Sequence, residues 1–128
     1  MAKDRAPEDL IPLTPAVFHI LLALADGELH GYGIMQDVEK QTNDLLQLGP
    51  GTLYGCLKRM VAAGLVTESD ERPDPLLDDE RRRYYLMTDL GQRVVRAEAE
   101  RLATAVRAAK KKHQLRPLQN PGLAGERS

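Results

Sequence analysis

The chain lacks what several other classes of protein require. A single cysteine, Cys56, rules out an intramolecular disulfide. No Cys/His cluster has zinc-ligand spacing, so no structural metal is expected. No run approaches the roughly 18 apolar residues of a membrane span, and Met1 to Pro12 is charged rather than a basic stretch followed by an apolar one. These absences point to the reducing cytoplasm and to a chain with no membrane, metal or cofactor. A basic excess is also missing, since the formal net charge is -1. Affinity for nucleic acid comes largely from Lys and Arg neutralising phosphates, so any such surface has to be local. The charge is in fact segregated. Residues 65–80 carry seven acids and one base, 81–83 are three arginines, and 98–116 hold six bases against two acids.

At 128 residues and 42% hydrophobic, the chain supports one core. Residues 1–12, with Pro7 and Pro12, have no periodicity and read as a flexible arm, with the fold beginning at Leu13. Thr14 caps a first helix with Pro15 at its first position, and Leu13 can staple onto Phe18. Val17, Ile20, Leu21 and Leu24 then share one face, with a stop at Gly27. After a short connection at Glu28 to His30, the residues Tyr32, Ile34, Met35 and Val38 mark a second helix ending near Gln41 to Asn43. Gly49-Pro50-Gly51-Thr52 opens a third, with Leu53, Leu57 and Met60 inward and Gly64 as its end. Leu65 to Glu68 and Arg82 to Met87 can pair as an antiparallel hairpin around an acidic loop, Ser69 to Arg81. Thr88 caps a last helix in which Val95, Ala99, Leu102, Val106 and Ala109 recur at spacings of 4, 3, 4 and 3, a short coiled-coil seam. The tail from 114 to 128 holds Pro117, Pro121, Gly122 and Gly125 and reads as disordered.

Three helices followed by a hairpin is winged-helix order. The expected fold is mainly α with a small β-hairpin: a winged helix-turn-helix domain over residues 13–87 and a long C-terminal dimerisation helix over 88–113. With its apolar residues inward, the third helix leaves Thr52, Tyr54, Gly55, Lys58 and Arg59 on other faces, and amides beside its glycines can meet phosphate.

Four ordered motifs carry a family resemblance: His30-Gly31-Tyr32-Gly33-Ile34, Pro50-Gly51-Thr52-Leu53-Tyr54, Gly64-Leu65-Val66, and Arg83-Tyr84-Tyr85 followed by Thr88-Asp89-Leu90-Gly91. Over about residues 13–112 the chain resembles the PadR family of transcriptional regulators, in its branch with a single C-terminal helix. The resemblance implies a winged-helix homodimer, and a small apolar or aromatic inducer. It implies DNA contacts at Gly51, Thr52 and Tyr54, groove contacts from Lys58 and Arg59, and wing anchors at Arg82 and Arg83. Two features depart from the family pattern: Gly55 stands where proline commonly follows the tyrosine, and the wing tip is long and acidic.

Blander roles compete at several of these positions. Tyr32 is expected in the core, and the Tyr54 hydroxyl is as consistent with packing as with a phosphate contact. His30 is expected to stabilise its turn. Cys56 is expected as a semi-buried helix residue, with a redox role only if a nearby cation stabilises its thiolate. The arginines at 81–83 can pair with Asp78, Asp79 and Glu80. The loop carboxylates lack the fixed separation that acid/base chemistry needs, so an enzyme is not expected. The expectation is a ligand-responsive repressor acting as a homodimer on an inverted-repeat operator. The alternative is a winged-helix protein-interaction module that uses the acidic loop 69–80.

Overall fold

A computed structural model of the chain describes residues 6–69, 72–73 and 81–115, with side chains over 6–69 and 83–113. Two compact units divide it, residues 1–98 and 99–128. The first contains α1 (Pro15–Ala23), β1 (Leu29–His30), α2 (Gly31–Gln41), α3 (Pro50–Ala62), β2 (Val66–Glu68), β3 (Arg72–Pro73), β4 (Arg81–Arg82), β5 (Tyr84–Met87) and the start of α4 (Asp89–Leu115). The second holds the rest of α4.

Local chemistry sets the helix starts. Thr14 accepts the Val17 N–H at 3.2 Å and Pro15 opens α1. His30 Nδ1 accepts the Gly33 N–H at 3.1 Å and so caps α2, the turn-stabilising role expected of it. Thr88 accepts the Gly91 N–H at 3.0 Å at the head of α4. Ile20, Leu21, Leu24, Ile34, Val38, Leu53, Leu57, Met60 and Val94 form the centre of one core. On its edge Gln41 links α2 to α1, its Oε1 lying 2.7 Å from His19 Nδ1 while its Nε2 donates to the His19 carbonyl.

The sheet differs from the expected hairpin. It has three strands in the order β1-β5-β2, all antiparallel, because Leu29 and His30 pair with Tyr85 and Tyr84. A two-residue strand is too short to show a period of two, so the sequence reads it as a connection. A second pair, β3 with β4, joins residues expected as loop, Arg72, Pro73 and Arg81, with Arg82, which was expected to open the second strand.

The N-terminal arm differs too. Pro7–Leu10 forms a 3-10 turn, and Leu10 and Ile11 pack on the core, drawn there by apolar side chains whose segment is too short for periodicity. Of the expected tail, Gln114 and Leu115 are helical and the rest lies outside the described residues.

Two joints fix α3, each closed on a glycine. At one, the Tyr54 ring lies directly on Gly31. A Cβ at that position would overlap the Tyr54 hydroxyl and stand 2.6 Å from Cζ. At the other, the Thr88 hydroxyl donates to the carbonyls of Gly64 and Leu65, and the Thr88 N–H donates to Leu65 O at 3.0 Å. This draws α4 so close that a Cβ at Gly91 would overlap the Leu65 carbonyl oxygen and stand 2.9 Å from Met87 Cγ. The four sequence motifs are thus paired in space, the first with the second and the third with the last.

Gly91→Ala forces backbone apart and should cost about 1–3 kcal/mol, lowering the melting temperature by about 5 °C or more for a domain of this size. Gly51→Ala, inside α3 with nothing within 4 Å of its Cβ, should melt at or slightly above the wild-type temperature. Thermal unfolding followed by circular dichroism checks both, and equal melting of the two variants would contradict the joint.

Candidate nucleic-acid interface

The turn Gly49-Pro50 opens α3 with proline at a first-turn position, where its missing N–H costs no hydrogen bond. Four inward residues, Leu53, Cys56, Leu57 and Met60, are buried. The helical repeat then turns Gly51, Thr52, Lys58 and Arg59 outward, and all four are exposed. Nothing in the chain lies within 4 Å of a Cβ at Gly51, and only the Arg59 guanidinium, at 3.6 Å, approaches one at Gly55. The outward surface is therefore low in relief between its two cations.

Tyr54 takes the packing role expected for it. Its ring covers Gly31, yet the residue remains 44% exposed beside Lys58. Arg59 donates to Cys56 Sγ at 3.5 Å, and Cys56 is 4% exposed, more buried than its spacing suggested because α3 carries its apolar stripe over four positions rather than three.

Tyr32 reverses its expectation. It is 50% exposed and stacks on His30, with ring centroids 6.5 Å apart, because Gly31, Ile34 and Val38 already fill the inward face of α2. The cross-strand pairing of His30 with Tyr84 explains the edge-on contact of those rings at 5.4 Å.

The wing base meets α3 through the opposite face of β5. Glu68 pairs in register with Tyr85 and accepts a hydrogen bond from the Arg83 guanidinium at 3.2 Å. Burial pushes the Tyr85 phenol above its ordinary range, the Glu68 carboxylate and Tyr54 add to the shift, and Arg83 opposes it. With Tyr54, Lys58 and Val61, these two residues line a cleft of about 300 Å³ between helix and wing.

Of the expected DNA contacts, Tyr54, Lys58 and Arg83 thus flank or line one junction, while Thr52 and Arg59 lie on the other flank of α3. Arg82 is placed on β4, with its side chain outside the described residues. So are Asp78, Asp79, Glu80 and most of the acidic loop 69–80. Sequence reasoning missed Glu68 because it is one of seven acids over residues 65–80, whereas the pairing of β2 with β5 turns it toward α3.

The expected seam divides between the two units. Val95 is 8% exposed and belongs to the domain core, because the first turns of α4 pack on their own domain. Ala99, Val106 and Ala109 are exposed and Leu102 is partly so. Among the described residues no group of three His, Cys, Asp or Glu is placed to hold a metal ion, and no helix is long and apolar enough to cross a membrane.

The geometry agrees with comparison to known proteins. The chain is 36% identical over 74 residues to a curated transcriptional regulator of Mycobacterium tuberculosis, a match covering 58% of this chain and 63% of that one. It spans less than two thirds of the length of the curated relatives it matches. A PadR family transcription regulator from Clostridium difficile superposes with a TM-score of 0.64 at 20% identity, covering 77% of this chain and 97% of that one. Bacillus subtilis PadR, solved in complex with operator DNA, superposes with a TM-score of 0.54 at 22% identity, covering 63% and 44% respectively. Residues 20–97 match the profile of the transcriptional regulator PadR-like family, and the chain is therefore a member of that family.

Proposed function

We propose that the chain is a ligand-responsive repressor that binds an inverted-repeat operator as a homodimer in the cytoplasm, with one α3 in each of two successive major grooves. The observation that carries this reading is the outward face of α3, where Lys58 and Arg59 stand on a low-relief surface opposite four buried residues. A helix of that form enters a groove of about 12 Å while flanking elements grip phosphate. Bacillus subtilis PadR, which shares this fold, was solved in complex with operator DNA, and this supports a DNA-binding role.

The roles follow from position. Gly51 lets the backbone at the start of α3 approach a phosphate, and Thr52 and Tyr54 offer hydroxyls beside it. Lys58 and Arg59 face base edges, and Arg82 and Arg83 anchor the wing to the backbone. Ala99, Leu102, Val106 and Ala109 meet their copies in a second α4, since a seam of small and apolar residues left exposed on one helix is covered most simply by its own symmetry mate.

An apolar or aromatic inducer that moves α4 would change the spacing of the two α3 helices. The buried Glu98 carboxylate, accepting the Leu13 N–H at 3.2 Å, supports this coupling because it ties α4 to the entry of α1.

Arg83→Ala should weaken binding to operator and random duplex alike, with a salt dependence shallower by about one charge. Lys58→Ala should instead lose preference for the chain's own upstream fragment, by about 1–3 kcal/mol. Fluorescence anisotropy across a range of salt separates the two, and wild-type protein indifferent to DNA at low salt would refute the reading. Val106→Asp should convert a dimer to a monomer in sedimentation equilibrium while leaving the melting of the first unit nearly unchanged.

A further inference from the structure

Glu68 stands in an unexpected place for an acid. It belongs to β2, at the junction between the groove-reading helix and the wing, and lines the same cleft as Lys58 and Tyr54. Its carboxylate accepts from Arg83 at 3.2 Å, and this guanidinium is the one described side chain that the preceding reading gives to the wing's phosphate contacts. The two side chains are 45% and 37% exposed, so the pair contributes little to folding.

Strand register distinguishes this from a passing surface ion pair. Glu68 stands opposite Tyr85 of the neighbouring central strand, Tyr85 is 6% exposed and held within the core, and both line the cleft between α3 and the wing.

A carboxylate and a phosphate bind a guanidinium by the same charge-assisted hydrogen bonds. We propose, on the footing of the DNA reading above, that Glu68 is a built-in competitor for Arg83, holding in the free protein the guanidinium that a DNA phosphate takes in the complex. The junction of α3 and the wing is then a phosphate seat formed by Arg83 with Lys58 and the Tyr54 hydroxyl at its rim. Its occupant in the absence of DNA is the protein's own carboxylate. Glu68 is a positioning residue in this account and acts through Arg83. Its consequence is a brake on phosphate binding that acts on operator and non-operator DNA alike.

The test is Glu68→Gln in the full chain, which removes the charge at nearly constant size and, in an exposed pair, should melt near the wild-type temperature. If this variant unfolds, Glu68→Ala carries the same expectation. Binding to the chain's own upstream fragment and to a random duplex is measured across a range of salt. The expected result is an affinity about fivefold higher for both duplexes, the order of one exposed ion pair, with the slope of log affinity against log salt unchanged because Arg83 meets the same phosphate in both proteins.

Arg83→Ala should abolish most of the gain, because no guanidinium is left to release. A similar gain in the Arg83→Ala background would overturn the proposal and reduce Glu68 to a nearby negative charge. An unchanged affinity in Glu68→Gln, while Arg83→Ala still weakens binding, would overturn it too and leave the DNA reading intact. Wild-type protein that binds no DNA would overturn the DNA reading itself, and this proposal with it.

Discussion

The surface that α3 presents depends on close backbone contact at two joints, where the space of a side chain is already taken. Beneath Tyr54 that space belongs to Gly31, and beneath the Leu65 carbonyl it belongs to Gly91. The Leu65 joint is backbone against backbone and has no slack, so α4 meets the turn after α3 in one arrangement, while at Gly31 the end of the Tyr54 side chain fills the space and sets α2 beside α3. The outward direction of Lys58 and Arg59 follows from that arrangement together with the buried stripe Leu53, Cys56, Leu57 and Met60. Thr88 adds direction to the second joint, because one hydroxyl caps α4 and bonds the carbonyls of Gly64 and Leu65.

The wing inherits its placement from the same construction. β5 is the central strand, holding β1 on one side and β2 on the other. Its alternation sends Tyr85 into the core and Tyr84 to the opposite face, against His30. With Glu68 opposite Tyr85 in register, an acid from β2 reaches the junction of helix and wing and meets Arg83 there. The electrostatics of the interface are thus decided by strand register, not by the net charge of -1.

Much of this was legible in the chain itself. The caps at Thr14 and Thr88, the turn at Gly49-Pro50 and the inward spacing of Leu53, Leu57 and Met60 are local signals, and local hydrogen bonding and periodicity realise them. What stayed hidden depends on long-range pairing. β1 has two residues and exists only because β5 lies beside it. Tyr32 reads as a core aromatic until smaller neighbours are seen to fill the inward face of α2. Val95 reads as the first seam residue because periodicity does not distinguish a helix face packed on its own domain from one left for a partner. The glycines at 31 and 91 are visible as motif positions, but the reason for them is an atom more than 20 residues away in each case.

The central claim is that two copies of α3 read two successive major grooves. The most direct measurement is hydroxyl-radical footprinting of the full chain on its own upstream DNA. The account predicts two protected patches on one face of the duplex with centres about 34 Å apart, one helical turn. Saturated binding with a single patch, or with protection that has no helical spacing, would contradict it.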